Sequence, residues 1–193
     1  MIAGAILAGG RSSRMGGGDK MLALLHGETI LSRIIARLKP QVALLALNGN
    51  GDAARFADFG LPVVPDRLMV QKGPIGGLHA SLEWAAARGA DQLLTVTSDV
   101  PFIPVDLASR LAAAGAPSIA VSGAHVHFAI GLWPVSLLPS IVDAVMNQNL
   151  FRMKDWVALC GAKHVRWDVA GHDPFFNINT PEDLAMAEGM DAA

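Results

Sequence analysis

Between Ala8 and Lys20 the chain sets five glycines, two arginines, two serines and a lysine within thirteen residues. They follow directly on an apolar run, Ile2-Ala3-Gly4-Ala5-Ile6-Leu7. Glycines let backbone N–H groups turn toward an anion that side chains would otherwise keep away. Arg11, Arg14 and Lys20 can neutralise several phosphate charges at once. Backbone freedom beside fixed positive charge suits a polyphosphate better than it suits any need of the fold. A Walker-type loop needs Ser or Thr after its Lys, and here Met21 follows Lys20. The dinucleotide fingerprint places its glycines at a helix start, with an acidic residue about twenty positions on. Two glycine clusters split by Arg-Ser-Ser-Arg-Met match neither pattern.

Two carboxylates extend the same chemistry. Asp99, in Ser98-Asp99-Val100-Pro101-Phe102, follows an apolar run and can hold magnesium, which takes one or two carboxylates plus substrate phosphates. An Asp before Pro also simply favours a turn. Asp66, in Val63-Val64-Pro65-Asp66-Arg67, suits a base edge, a ribose or a metal shell, and an ion pair with Arg67 accounts for it almost as well. Gly73-Pro74-Ile75-Gly76-Gly77 opens a helix pattern and permits close approach of a ligand or another backbone. Asn48 and Asn50 read as ordinary turn residues on pattern alone. Asn177 and Asn179 present two amides just before the last helix, and spacing does not decide between local backbone and a ligand. His125 and His127 share one strand face without a third ligand nearby, which reads as an exposed strand edge. Cys160 stands alone, so an internal disulfide and a Cys-based zinc site are excluded, and a buried thiol near a helix end is expected.

The elements that position these residues alternate. Apolar runs at 2–8, 42–47, 62–64 and 92–97 interleave with helix patterns at 29–39, 53–59, 75–88 and 104–114. Continuous apolar strands separated by helices predict a parallel sheet buried on both faces, with ligands at the carboxyl edge. Residues 118–122 and 124–133 predict two strands around Gly123, an antiparallel addition. Helices at 135–146 and 152–159, a strand at 163–168 and a helix at 181–188 complete the chain. Thr180 caps that last helix, with Pro181 at its first position.

With 193 residues, 52% of them hydrophobic and 17% charged, the expectation is one domain over 1–193 that needs no staple. The apolar N-terminal run breaks at Gly9 without a basic start, so no secretory signal is expected. No apolar stretch nears the roughly 20 residues that span a bilayer. A net charge of −2 argues against broad nucleic-acid binding, so any anion site is local. The expected compartment is the cytoplasm.

With these residues in view, the sequence resembles the molybdenum cofactor guanylyltransferases, within the wider group of nucleotidyltransferases with a Rossmann-like fold. The anchors are Leu7-Ala8-Gly9-Gly10 through Arg14-Met15-Gly16-Gly17-Gly18-Asp19-Lys20, Pro65-Asp66, Gly73–Gly77, Asp99–Phe102, and Asn177-Ile178-Asn179-Thr180-Pro181-Glu182-Asp183-Leu184. The first motif marks only the broad group; joined to the terminal string it is far more specific. Related cytidylyltransferases usually carry Ala-Ala-Gly where this chain has Ala8-Gly9-Gly10, which favours guanine. Two positions depart from the pattern: Ile75-Gly76 stands where Leu-Ala is common, and Phe128 follows His127 where many relatives have Pro.

The resemblance implies a three-layer α/β fold and transfer of GMP from GTP to the terminal phosphate of molybdenum-molybdopterin, releasing pyrophosphate. It implies that Leu7, Ala8, Gly9, Gly10, Lys20, Asn48, Asp66 and Asp99 bind GTP, with magnesium at Asp99. Lys20, Arg14 and Asp99 are the expected catalytic residues; Gly76, Gly77, Asn177 and Asn179 are weaker candidates for the acceptor. Transient contacts with molybdopterin-delivering or molybdoenzyme-maturation proteins would follow, and neither nucleic acid nor membrane is expected as partner. The alternatives are a cytidylyltransferase or another nucleotidyltransferase on this scaffold, and a non-catalytic nucleotide-binding adaptor.

Overall fold

The first strand, β1 (Ile2–Leu7), lies at the heart of a seven-stranded sheet. In this computed structural model, which describes residues 1–8, 19–67 and 74–190, its side chains alternate between two cores. Ala3, Ala5 and Leu7 face one side and Ile6 the other, so both faces of the strand are dry, as its unbroken apolar run predicts.

Next comes a short hairpin, β2 (Leu24–Leu25) and β3 (Glu28–Thr29), which the sequence reading did not foresee. It turns on His26 and Gly27, both at positive φ (53° and 80°), a two-residue turn too short to leave an alternating pattern. Helix α1 (Ile30–Leu38) follows, capped by Thr29, whose hydroxyl accepts from Ser32 N at 3.0 Å. Strand β4 (Leu44–Asn48) comes next, and then residues 53–59, predicted as a helix, form tight three-residue turns between the Asp52 cap and left-handed Gly60. Only Phe56 is buried there, so no apolar stripe rewards a full α-helix.

Strand β5 (Val63–Val64), helix α2 (Pro74–Ala86), strand β6 (Gln92–Thr97) and helix α3 (Leu107–Ala114) complete the alternating half. Strands β7 (Ser118–Ser122) and β8 (His125–Pro134) pair antiparallel around Gly123, which has φ 52°. Helices α4 (Leu138–Met146) and α5 (Met153–Cys160), strand β9 (Lys163–Trp167) and helix α6 (Pro181–Glu188) close the chain. Cys160 ends α5 half-buried, its Sγ against Val157 O, and burial raises its thiol pKa.

The sheet order is β5-β4-β1-β6-β8-β7-β9, and β8 is the one strand of this sheet that runs antiparallel to its neighbours. Helices α1, α3 and α6 cover one face, α2, α4 and α5 the other, giving three layers. Strand β8 lies between β6 and β7, but among the described residues β6 pairs only with residues 131–134, so His125 and His127 pair with β7 alone. His125 is exposed and His127 half-buried, on a free stretch of strand much as expected. Period-two alternation reveals which face a residue takes but not which strands flank it. Among the described residues no helix is long and apolar enough to cross a membrane.

Candidate active site

The chain leaves β1 toward β4 and β5, then returns to the sheet at β6 on the other side of β1. Where strand order reverses in this way, the loops beyond the carboxyl ends diverge and leave a crevice. In register, Leu7 pairs with Asn48 on one side and Thr97 on the other. Ala8 N donates to Asn48 O at 2.8 Å, and Ser98 N donates to Leu7 O at 3.2 Å. Leu7, Ala8, Asn48 and the Asp99 turn therefore emerge side by side. Gly9, Gly10 and Arg14 lie outside the described residues.

Lys20 opens a short turn, residues 20–22, whose central Met21 is buried in the core. That anchor fixes where Lys20 points. Its Nζ donates to Asp99 Oδ2 at 3.1 Å and to Asn179 Oδ1 at 2.7 Å. The Lys20 and Asp99 side chains are only 17% and 18% exposed, so their attraction is less screened than at an open surface. Asp99 Oδ1 is buried and has no hydrogen-bond partner among the described residues. A buried carboxylate oxygen left unpaired is costly, and a cation relieves that cost.

The Asn179 end is tied down twice. Ile178, buried between the two asparagines, donates its N–H to Asp99 O at 2.9 Å. The Asp183 carboxylate accepts from both Asn179 N (2.8 Å) and Thr180 N (2.9 Å), while the Thr180 hydroxyl accepts from Asp183 N, a reciprocal cap on α6. Asn177 is exposed, and only Asn179 of the pair reaches Lys20.

On the other side of β1, beyond β4 and β5, a second polar cluster forms around Asp66. Asn48, 1% exposed, donates Nδ2 to Val64 O (2.9 Å) and to Asp66 Oδ1 (2.8 Å). Asn50 Nδ2 donates to Asp66 Oδ2 at 2.9 Å, and its Oδ1 accepts from Asp66 N. No ion pair joins Asp66 to Arg67 among the described residues; the two amides hold the carboxylate instead. Gly76 and Gly77 are buried in the first turns of α2. A Cβ at Gly77 would sit 2.2 Å from Asn48 Oδ1, so the glycine's close approach is to the Asn48 amide.

Asp19 and Arg55 were not singled out from sequence, being 36 residues apart with no shared motif. Arg55 Nη1 lies 3.0 Å from both Asp19 carboxylate oxygens, its Nη2 donates to Asn50 O at 2.8 Å, and its guanidinium lies over the Phe56 ring at 4.5 Å. Farther along the same sheet edge, His127 Nε2 is 2.7 Å from Ser122 Oγ, which donates to Asp173 Oδ2 at 2.8 Å. Burial lowers the His127 pKa, and Asp173 opposes that shift in part. Ser122 accepts from the imidazole and spends its own proton on Asp173, so the group orders a loop and offers no free nucleophile.

Residues 4–171 match the family model described as MobA-like NTP transferase domain. The chain belongs to this family. A molybdenum cofactor guanylyltransferase from Bradyrhizobium sp. (strain ORS 278) is 43% identical over 198 residues, covering 99% of this chain and 93% of that protein. One from Cereibacter sphaeroides is 45% identical over 189 residues, with 97% and 95% covered. In fold, the chain is similar to the crystal structure of molybdopterin-guanine dinucleotide biosynthesis protein A from Archaeoglobus fulgidus, with a TM-score of 0.68 at 20% identity, covering 98% of this chain and 97% of that one. In this MobA-like chain the described motif residues Leu7, Ala8, Lys20, Asn48, Asp66 and Asp99 gather at the sheet edge around β1.

Proposed function

We propose that this chain transfers GMP from GTP to the terminal phosphate of molybdenum-molybdopterin, forming the guanine dinucleotide and pyrophosphate. The observation that carries the reading is the Lys20 ammonium held between Asp99 and Asn179, across β1 from the Asn48–Asp66–Asn50 cluster. That spacing suits one nucleotide, with its phosphates at Lys20 and its base at Asp66. The sequence relatives named for this activity support it.

At the base end, each Asp66 oxygen takes one amide proton and keeps lone pairs to spare. Guanine offers adjacent N1–H and N2–H donors to such a carboxylate, whereas cytosine offers acceptors at N3 and O2. At the phosphate end, Lys20 has phosphate oxygens as an alternative to Asp99 once the triphosphate arrives. Lys20 and Arg14 neutralise the triphosphate, and the glycine-rich backbone of residues 9–18 cradles it.

Asp99 fits magnesium. Its unpartnered buried Oδ1 is a hard oxygen donor, and among the described residues no cluster of three or more His, Cys, Asp or Glu forms a cage of its own. A metal here would share its ligands between Asp99 and the phosphates. When bound, it would supply charge neutralisation across the phosphate oxygens.

The transfer forms a bond from an acceptor phosphate oxygen to the α-phosphorus and breaks the α–β phosphoanhydride bond, with the electron pair leaving on pyrophosphate. A phosphate monoester has a second pKa of about 6, so the nucleophile is ionised without a strong base. The task left to the protein is to align two anions and offset their repulsion. Asn179 and, more weakly, Asn177 stand on the side from which the acceptor approaches. The reading places the enzyme in the cytoplasm, with passing contacts to proteins that deliver the pterin or receive the product.

The test is a turnover assay with molybdenum-molybdopterin and each nucleoside triphosphate in competition. Pyrophosphate release that requires the pterin and favours GTP supports the reading. Preference for CTP would make it a cytidylyltransferase, and release without the pterin would remove the acceptor.

A further inference from the structure

Among the described residues, the side chain of Arg55 joins the two polar clusters of the site. Read from the base end, Asn48 and Asn50 hold Asp66, the backbone carbonyl of Asn50 accepts from Arg55 Nη2, and Arg55 Nη1 holds both oxygens of Asp19. Asp19 is the residue before Lys20, and its carbonyl closes the turn that carries Lys20 by accepting from Leu22 N at 2.8 Å. The chain of contacts thus runs from Asp66 to Lys20, Asp99 and Asn179 through Arg55.

An ordinary surface ion pair contributes little and is held loosely. Arg55 differs in three ways. Its guanidinium lies on the face of Phe56, a ring that is 2% exposed, which limits its rotamers. Its two terminal nitrogens serve different segments, a division that the flat fork of Arg allows and the single ammonium of Lys does not. The Asp19 and Arg55 side chains are 20% and 32% exposed, so neither is fully washed by solvent.

We infer that Arg55 is a positioning residue that couples recognition of the nucleotide's base to the placement of Lys20. The inference rests on the guanylyl-transfer reading and deepens it. It assigns a nucleotide-selecting role to a residue whose own contacts are with Asp19, Asn50 and Phe56. A base that engages Asp66 correctly steadies Asn50, and through Arg55 and Asp19 it steadies the turn that aims Lys20. A base that does not engage leaves that turn loose. Selectivity then shows in the catalytic step as well as in binding.

The test is a cycle of four proteins: wild type, Asp66→Asn, Arg55→Ala and the double variant, each assayed for kcat and KM with GTP. If the link runs through Arg55, each single change lowers kcat about tenfold and the double lowers it no further than Arg55→Ala alone. Arg55→Lys restores the charge beside Asp19 and the melting temperature but not kcat. Wild-type kcat in Arg55→Ala overturns the inference, as does a double variant whose loss is the product of the two singles, about a hundredfold. Should Arg55→Ala fail to fold, Arg55→Lys and Asp19→Asn take its place in the same cycle. If the wild type does not transfer GMP, the guanylyl-transfer reading fails, and the cycle is run on GTP affinity by calorimetry. Non-additive affinities then uphold the coupling, and additive affinities or no GTP binding overturn it.

Discussion

The Asn48 carboxamide occupies the space that a side chain at residue 77 would need, with Oδ1 only 2.2 Å from where that Cβ would stand. The amide cannot swing aside cheaply, because its Nδ2 is bonded to Val64 O and Asp66 Oδ1. A helix of one layer and a strand of another thereby meet at a residue of the nucleotide site.

Gly77→Ala is therefore expected to cost about 1–3 kcal/mol of stability, as overpacking a tight contact does, and to weaken GTP binding by displacing Asn48. Gly49→Ala is the control, since its Cβ would meet Phe56 and Ala8 at ordinary distances of 3.6 and 3.8 Å. Thermal unfolding and GTP titration of both variants check the contrast. Equal behaviour of the two would contradict it.

Much of this architecture was legible in the sequence, and the reasons are local. The unbroken apolar run at 2–7, stopped by glycines, predicts a strand dry on both faces, and Thr180 with Pro181 predicts a helix start; the structure shows both. What escaped was non-local or short. The His26-Gly27 hairpin has two residues per strand, too few for a period. The place of β8 inside the sheet depends on partners far along the chain. At the site, Lys20 and Asp99 stood out by residue type, whereas Arg55 is an unremarked charge until folding lays it against Asp19.

Thr95 is the second stability prediction. Its hydroxyl accepts from Trp133 Nε1 at 2.8 Å and donates to Ala129 O at 2.8 Å, joining β6 to β8 inside the core. Thr95→Val keeps the shape and strands both partners, so about 1–3 kcal/mol should be lost. Urea unfolding reads the loss. A midpoint equal to wild type would show that the two groups find other partners.

Asp183 links helix capping to catalysis. Its carboxylate holds Asn179 N, and Asn179 holds Lys20. Asp183→Ala should lower stability by about 1 kcal/mol, in the range for lost caps, and also reduce kcat several-fold. Melting and turnover measured on one preparation separate the two effects. A stability loss with unchanged kcat would confine Asp183 to the cap.

Buried His79 and half-buried His127 set an acid limit. Burial is the chief cause that holds both His79 and His127 below the ordinary imidazole value of 6.5, with Glu83 opposing it for His79 and Asp173 for His127. The unfolded chain then takes up protons at a higher pH than the folded one. The stability this contributes is complete above 6.5 and is lost as pH falls through the folded values. Urea midpoints measured downward from neutral pH should fall, and His79→Gln or His127→Gln should each flatten the fall. A slope untouched by either change would count against this account.

The most direct measurement is calorimetric titration of GTP into wild type and Asp99→Asn, with and without Mg²⁺. The account predicts that magnesium strengthens GTP binding in the wild type by about tenfold or more, and that Asp99→Asn, with an unchanged melting temperature, loses that gain. A folded Asp99→Asn protein that keeps the full magnesium effect would mean that the triphosphate and its cation do not meet at Asp99.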